Sequence, residues 1–312
     1  MLRLSVSTSN AENPDPIPLP EGTDCHALAP HRILWLMNCP WIDPHHPTPG
    51  TPLKGPPDEH TAGLGIALAG TSQQRGAVLI CPGGGYESIN LAEALPIARL
   101  LNAYGIHAFL LHYRHWPSFR HPVPLKDALR SMRVIRYGRR GGWWPVNTEK
   151  IAVIGIGSGA HLAALVATGG DGGKERPKGF VTLDDEIETE PSTPNAQVLA
   201  YPLIQLSREG PEGPAGKLVG NDVDLELLES LDADRRVTPR TPPAFVFHRA
   251  TDDTTVPAFH SLAYGMALSR CRVPLVLHCL QCTEENLGLP SDFVDVQAWP
   301  DLAARWLEGM GF

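Results

Sequence analysis

Long apolar runs are missing from this 312-residue chain. None reaches the roughly 18 residues that a membrane-crossing helix needs, so no membrane partner is expected. The start, "MLRLSVSTSNAENPDP", also lacks the apolar core of about 7–15 residues that defines a signal peptide, and a cytoplasmic location is the expectation. Basic charge is in deficit: 26 Lys and Arg stand against 34 Asp and Glu, for a net charge of −8. That balance argues against a nucleic-acid surface or an anionic membrane surface. The densest basic stretch, "RSMRVIRYGRR" at 130–140, has helical spacing and reads as a solvated helix face. The 13 histidines contain no H-E-x-x-H pairing, and no metal or cofactor is expected. The six cysteines read as reduced thiols in a cytosolic chain. "CLQC" at 279–282 has the C-x-x-C spacing but follows a strand instead of opening a helix, which argues against redox use.

What is present is regular. Apolar β-rich runs occur at 63–70, 76–82, 107–113, 150–156, 196–204, 243–250 and 274–280. Helical patterns lie between them at 91–104, 124–140, 159–168, 257–270 and 297–311. Several runs are apolar on both faces, as central parallel strands are. Alternation of this kind predicts an α/β fold in three layers: a mostly parallel sheet with helices on both faces. A Pro-rich arm with a first strand is expected over residues 1–60. A single domain is expected over 61–312, with loop insertions near 169–195 and 207–216. In such sheets the working residues sit on loops at the C-terminal ends of the strands.

Four of those loops matter. "CPGGGYESI" (81–89) follows a buried strand, and its glycines allow backbone N–H groups to face a developing oxyanion. "GIGSG" (155–159) fits the small-x-Nu-x-small frame of a nucleophile elbow, where strand and helix pass too closely for side chains at the flanks. Centred on Gly157, the flanks are Gly155 and Gly159. Centred on Ser158, they are Ile156 and Ala160, and the bulk of Ile156 disfavours that frame. Gly157 is therefore the tip, and the Ser158 N–H becomes an oxyanion donor. "RATDDTTVP" (249–257) places Asp252 or Asp253 where a triad acid belongs. "LHCLQCTEENLGL" (277–289) should carry a triad histidine and instead offers Glu284 and Glu285.

Together these residues resemble the α/β-hydrolase superfamily. The closer likeness is to small esterases of the acetyl-xylan-esterase, BD-FAE and dienelactone-hydrolase kinds. The motifs are Pro82-Gly-Gly-Gly-Tyr86, Tyr113-Arg114, His121-Pro122 with Asp127, "GIGSGAHLAA", "LAYP" (199–202), "TPRTPPAF" (238–245) and "DDTTVP" (252–257). The likeness covers about residues 60–310. Counting back from "HLAA" (161–164), the family's serine position is Gly157. Its aspartate position is Asp253. Its histidine position, placed by "LGL" (287–289), is Glu285. The resemblance thus implies an esterase frame with Gly157, Glu285 and Asp253 where serine, histidine and aspartate stand, and with Gly84, Gly85 and Ser158 as oxyanion-hole donors. Tyr86, Tyr113 and His161 are candidates for the pocket lining.

Without serine and histidine the acyl-enzyme route is closed. Three readings follow. The first is a repurposed non-hydrolytic enzyme: Glu285 and Asp253 would perform acid/base chemistry (cyclisation, elimination, isomerisation or a lyase step) on a small carbonyl compound. The second is a catalytically inactive protein that binds a small molecule or a partner. The third keeps a hydrolase: a weak esterase that uses Ser158, with His161 or His112 as its base, or a water activated by Glu285.

Overall fold

The computed structural model describes residues 62–169, 186–220, 225–250, 256–280 and 298–312. It also describes the backbone of four short strands: β1 (Arg3–Leu4), β2 (Ile17–Pro18), β3 (Leu34–Met37) and β4 (Pro52–Leu53). The following strands are β5 (Gly63–Ala67), β6 (Arg75–Cys81), β7 (His107–His112), β8 (Val146–Ile156), β9 (Ala196–Ala200), β10 (Ala244–Arg249) and β11 (Leu275–Leu280). The helices are α1 (Leu91–Ala103), α2 (Val123–Arg140), α3 (Ser158–Ala167), α4 (Pro214–Val219), α5 (Leu225–Ser230), α6 (Phe259–Arg270) and α7 (Trp299–Gly309).

One nine-stranded sheet runs β11-β10-β9-β8-β6-β7-β5-β3-β4. The six strands from β11 to β7 are mutually parallel, and β5, β3 and β4 are antiparallel. β1 and β2 form a separate antiparallel pair.

Strand alternation builds two cores, because successive side chains point to opposite faces. Leu79, Phe109, Ile151, Val153, Leu199 and Val246 point to one face, where α2, α3 and α6 cover them through Leu129, Met132, Leu162 and Tyr264. Val78, Ile80, Leu110, Ile154, Val198 and Phe247 point to the other, under α1 and α7 through Ile97, Leu101, Ala303 and Leu307. This is the three-layer arrangement expected from the two-faced apolar runs. β8 is longer than its expected 150–156, because it starts at Val146.

The reading of residues 130–140 as a solvated face is corrected. Arg130, Arg133 and Arg136 are only 1%, 5% and 6% exposed. Arg130 and Arg133 pair with Glu188 at 3.0 and 3.3 Å. Arg136 donates to the carbonyl oxygens of Pro191 and Thr193 at 2.9 and 2.6 Å and to that of Thr148. Tyr137 donates to Glu186 at 3.0 Å. The stretch straps residues 186–193, the second half of the 169–195 insertion, onto the helix.

Candidate active site

The site lies at the C-terminal edge of the parallel strands. β8 ends at Ile156, Gly157 makes the turn, and α3 begins at Ser158. Gly157 has φ 56° and ψ −117°, a conformation that side chains rarely adopt and that nucleophile turns impose. Its N–H donates to the Ala200 carbonyl at 2.9 Å, which ties the turn to β9.

The glycines of the elbow are distinguished by the space around them. A Cβ on Gly155 would meet the Ala160 Cα at 2.4 Å. One on Gly159 would meet the Cys81 carbonyl oxygen at 2.2 Å. One on Gly157 would have no atom within 4 Å. The flanks are therefore closed by backbone and the tip is open, as the frame centred on Gly157 requires. No hydroxyl or thiol occupies the tip.

The glycine loop after β6 stands beside this turn. Gly84 has φ 126°, and a Cβ there would lie 2.2 Å from the Ser88 carbonyl oxygen, so only glycine fits. Its own carbonyl accepts from the N–H groups of Glu87 and Ser88, both at 3.0 Å, which closes the loop as a tight turn.

The Gly85 N–H donates to Ser158 Oγ at 2.9 Å. That hydroxyl is therefore a brace between the elbow and the glycine loop, and Ser158 is only 5% exposed. The first N–H groups of α3 precede any carbonyl of their own helix, so those of Ser158 and Gly159 are donors of the helix N-terminus. Nothing in the sequence signals the Ser158 brace, because a serine at the first position of a helix reads equally as a capping residue or a nucleophile.

Tyr86, Tyr113 and His161 are 1%, 0% and 0% exposed, and they prop the loop from below instead of forming an exposed pocket wall. The His161 Nε2 is 2.8 Å from the Leu231 carbonyl, which can only accept, so Nε2 carries the proton. Nδ1 is then the acceptor, and the Tyr86 hydroxyl donates to it at 2.6 Å. Burial, with the nearby charge of Arg236, holds His161 down at about 4, so it is neutral at pH 7. Both of its ring nitrogens are engaged away from Ser158. Tyr86 sits at φ 63°, a strained setting for a non-glycine residue. It is also held by its carbonyl, which accepts from the Trp116 N–H at 3.1 Å. Tyr113 donates to the Pro82 carbonyl at 3.0 Å, fixing the start of the loop.

Arg114 and Asp127, singled out by the motif order, form a buried two-pronged pair. Arg114 Nε lies 2.9 Å from Oδ2 and Nη2 lies 2.5 Å from Oδ1, while the Arg114 N–H reaches Oδ2 at 2.9 Å. This locks the end of β7 to α2, next to the loop that carries Trp116. That loop is walled by α4. Lys217 lies 3.8 Å over the Trp116 ring and 3.3 Å from Glu87, and the His121 N–H donates to the Leu218 carbonyl at 2.7 Å.

Asp253 and Glu285, with Asp252 and Glu284, lie outside the described residues. The strand ends from which their loops leave are described. β10 and β11 are adjacent and parallel, with Arg249 opposite Leu280, and the Ala250 N–H donates to the Leu280 carbonyl at 2.7 Å. His248 binds the Val256 carbonyl through Nε2 at 2.8 Å and Ser261 Oγ through Nδ1 at 2.7 Å, which ties the far end of the loop carrying Asp253 back to β10. Among the described residues no group of three or more His, Cys, Asp or Glu is placed to hold a metal ion, and no helix is long and apolar enough to cross a membrane.

With this geometry in place, comparison with known proteins is informative. Residues 66–268 match the BD-FAE family model. An acetyl ester-xyloside bifunctional hydrolase from Caldicellulosiruptor lactoaceticus is 33% identical, with a TM-score of 0.76 over 92% of this chain and 99% of that one. The carboxylesterase Cest-2923 from Lactobacillus plantarum WCFS1, 24% identical, shares the fold with a TM-score of 0.65 over 81% of this chain and 94% of that one. An endo-1,4-beta-xylanase B from Butyrivibrio fibrisolvens is 25% identical over 204 residues, 64% of this chain but 31% of the xylanase. The chain thus spans about a third of that curated relative.

Proposed function

The chain belongs to the BD-FAE family of α/β-hydrolases, and from that premise we propose that it binds a small carbonyl compound of the kind esterases take and acts on it without an acyl-enzyme. The observation that carries this reading is the open, side-chain-free tip at Gly157 between two closed flanks. An elbow of this shape presents the N-terminus of α3 to a substrate carbonyl but offers no atom to attack it.

Glu285 and Asp253 are the proposed acid/base pair. Their loops leave adjacent strand ends, and β10 is two strands from β8, roughly 10 Å at about 4.8 Å per strand. Two carboxylates brought close in a partly dry pocket raise one another's proton affinity, so one stays protonated near neutral pH and serves as the acid while the other serves as the base. The carbonyl oxygen would receive the N–H groups of Gly84 and Ser158. The products of such chemistry are those of enolisation: cyclisation, elimination, isomerisation or carbon–carbon cleavage. The esterase reading through Ser158 is set aside because its hydroxyl is buried and receives the Gly85 N–H, while His161 is committed to Tyr86 and Leu231.

A second reading, a binding protein without turnover, draws on the same brace. With its N–H given to Ser158, Gly85 no longer serves as an oxyanion donor. The two readings separate on Glu285→Gln and Asp253→Asn assayed on small β-hydroxy and β-keto carbonyl compounds. Loss of turnover with binding retained supports catalysis. Tight binding with no product from the unaltered chain supports the binder. The shared premise is tested by the double variant Gly157→Ser with Glu285→His. It should gain aryl acetate hydrolysis at least about 100-fold above either single variant, since a nucleophile and its base act as a unit. Hydrolysis by the unaltered chain at the double variant's rate would refute it.

A further inference from the structure

At the opposite end of β8 from Gly157 lies a polar, solvent-open cleft of about 470 Å³. Val146 pairs with Arg75 and Gly155 with Cys81, six residue steps along β6 at about 3.3 Å, so this cleft is on the order of 20 Å from the elbow and is a separate site. Its walls are Gln74 before β6, Arg136, Arg139 and Arg140 at the end of α2, Val146, Asn147 and Thr148 at the start of β8, and Glu190.

The three arginines have different commitments. Arg136 is spent on the carbonyls of Thr148, Pro191 and Thr193 and is structural. Arg140 is largely exposed and approaches Glu190 only at 3.8 Å, a contact of little strength in water. Arg139 is half-buried, and its guanidinium has no ion-pair or hydrogen-bond partner among the described residues.

Basic residues at a helix C-terminus ordinarily answer the exposed carbonyls and the dipole there. Here three of the last four carbonyls are already answered. Tyr137, Gly138 and Arg139 accept from the N–H groups of Gly141, Trp143 and Gly142 at 2.8, 2.7 and 3.1 Å. Ile135 accepts from the Trp144 indole at 2.8 Å. Capping therefore leaves the guanidinium groups of Arg139 and Arg140 unused. Asn147 adds a donor. Its side-chain oxygen accepts from the Glu149 N–H at 3.1 Å, which leaves the amide NH₂ for the cleft.

We propose that this cleft is a second binding site, for a small molecule carrying an oxyanion on a sugar-sized body. Arg139 and Arg140 clamp the anion, the amides of Asn147 and Gln74 bind the neutral part, and Glu190 accepts a hydroxyl. Planar guanidinium groups recognise carboxylate and phosphate oxygens in pairs, so either anion suits the clamp. The cleft volume falls in the range of ordinary small-molecule sites.

Calorimetric titration of the full chain with inorganic phosphate, glucose 6-phosphate and glucuronate tests this. Saturable binding of at least one sugar-linked anion is expected, with the two sugars distinguishing phosphate from carboxylate as the preferred anion. The Arg139→Gln, Arg140→Gln double variant should lose about 10-fold or more in affinity, the scale of a lost charged hydrogen bond, and a tenfold rise in salt should weaken binding. Arg140→Gln alone, at an exposed position, serves as the variant whose folding is secure and should lose a few-fold. Gly157→Ser should leave this binding unchanged. No saturable binding of any of the three, or binding that both arginine variants retain in full, would overturn the proposal.

Discussion

The elbow at 155–161 and the basic stretch at 130–140 are both short, and their sequences convey very different amounts. In the elbow, the meaning of each residue is set by a steric frame that recurs wherever a strand turns directly into a helix. Gly155 abuts Ala160, and Gly159 abuts the strand end at Cys81. A steric pattern of that kind survives translation into sequence. In the basic stretch, the meaning is set by residues some 55 positions downstream. Arg130, Arg133 and Arg136 look like a solvated face until Glu188, Pro191 and Thr193 arrive to cover them. Helical periodicity specifies where a side chain points, and it carries no information about which distant segment comes to lie there.

Acid should produce the largest effect, and it should strike around the elbow. His161 and the largely buried His121 are each held at about 4 against an ordinary 6.5, chiefly by burial. The unfolded chain then binds more protons than the folded one between those values. The stabilisation is complete above pH 6.5 and is lost as pH falls towards 4, by up to about 3 kcal/mol for each histidine. Urea unfolding at pH 7, 6 and 5 should show a falling midpoint, and a flat profile would mean that these histidines are not buried as described.

Next is the strap. Glu188→Ala leaves Arg130 and Arg133 without their shared carboxylate and should cost about 3 kcal/mol, the scale of a broken buried pair. A change under about 0.5 kcal/mol in thermal or urea unfolding would restore the solvated-face reading and dissolve the contrast between the two regions. Within the elbow, Gly159→Ala should cost about 2–3 kcal/mol because the added methyl meets backbone. Gly157→Ala meets nothing and should cost only the strain of its positive φ, about 1–2 kcal/mol. If the two alanines cost the same, the open-tip geometry is wrong. The smallest effect belongs to Arg140→Gln, within about 0.5 kcal/mol of no change in stability, since its contact with Glu190 is long and exposed.

Most of the sheet was legible, because its parallel strands are apolar on both faces and the helices between them keep their period. The antiparallel edge was not. β3 and β4 lie in Pro-rich sequence with little alternation, and the pairing of β4 with β3 and of β3 with β5 is a backbone matter. Of the site, Gly84 and Gly157 stood out because positive φ and close approach select glycine. The role of Ser158 did not, because bracing the Gly85 N–H requires only a hydroxyl, and many residues carry one. Tyr86 and His161 looked like pocket residues because aromatic and imidazole groups near a glycine loop suit ligands. They are instead joined to each other beneath it.

Whether anything in this elbow attacks an ester is decided by treating the chain with a fluorophosphonate and with an aryl acetate, then weighing the intact protein and its peptides. An empty tip gives an unchanged mass and no burst of phenol, and Ser158→Ala behaves identically. A stoichiometric adduct on Ser158 would contradict it.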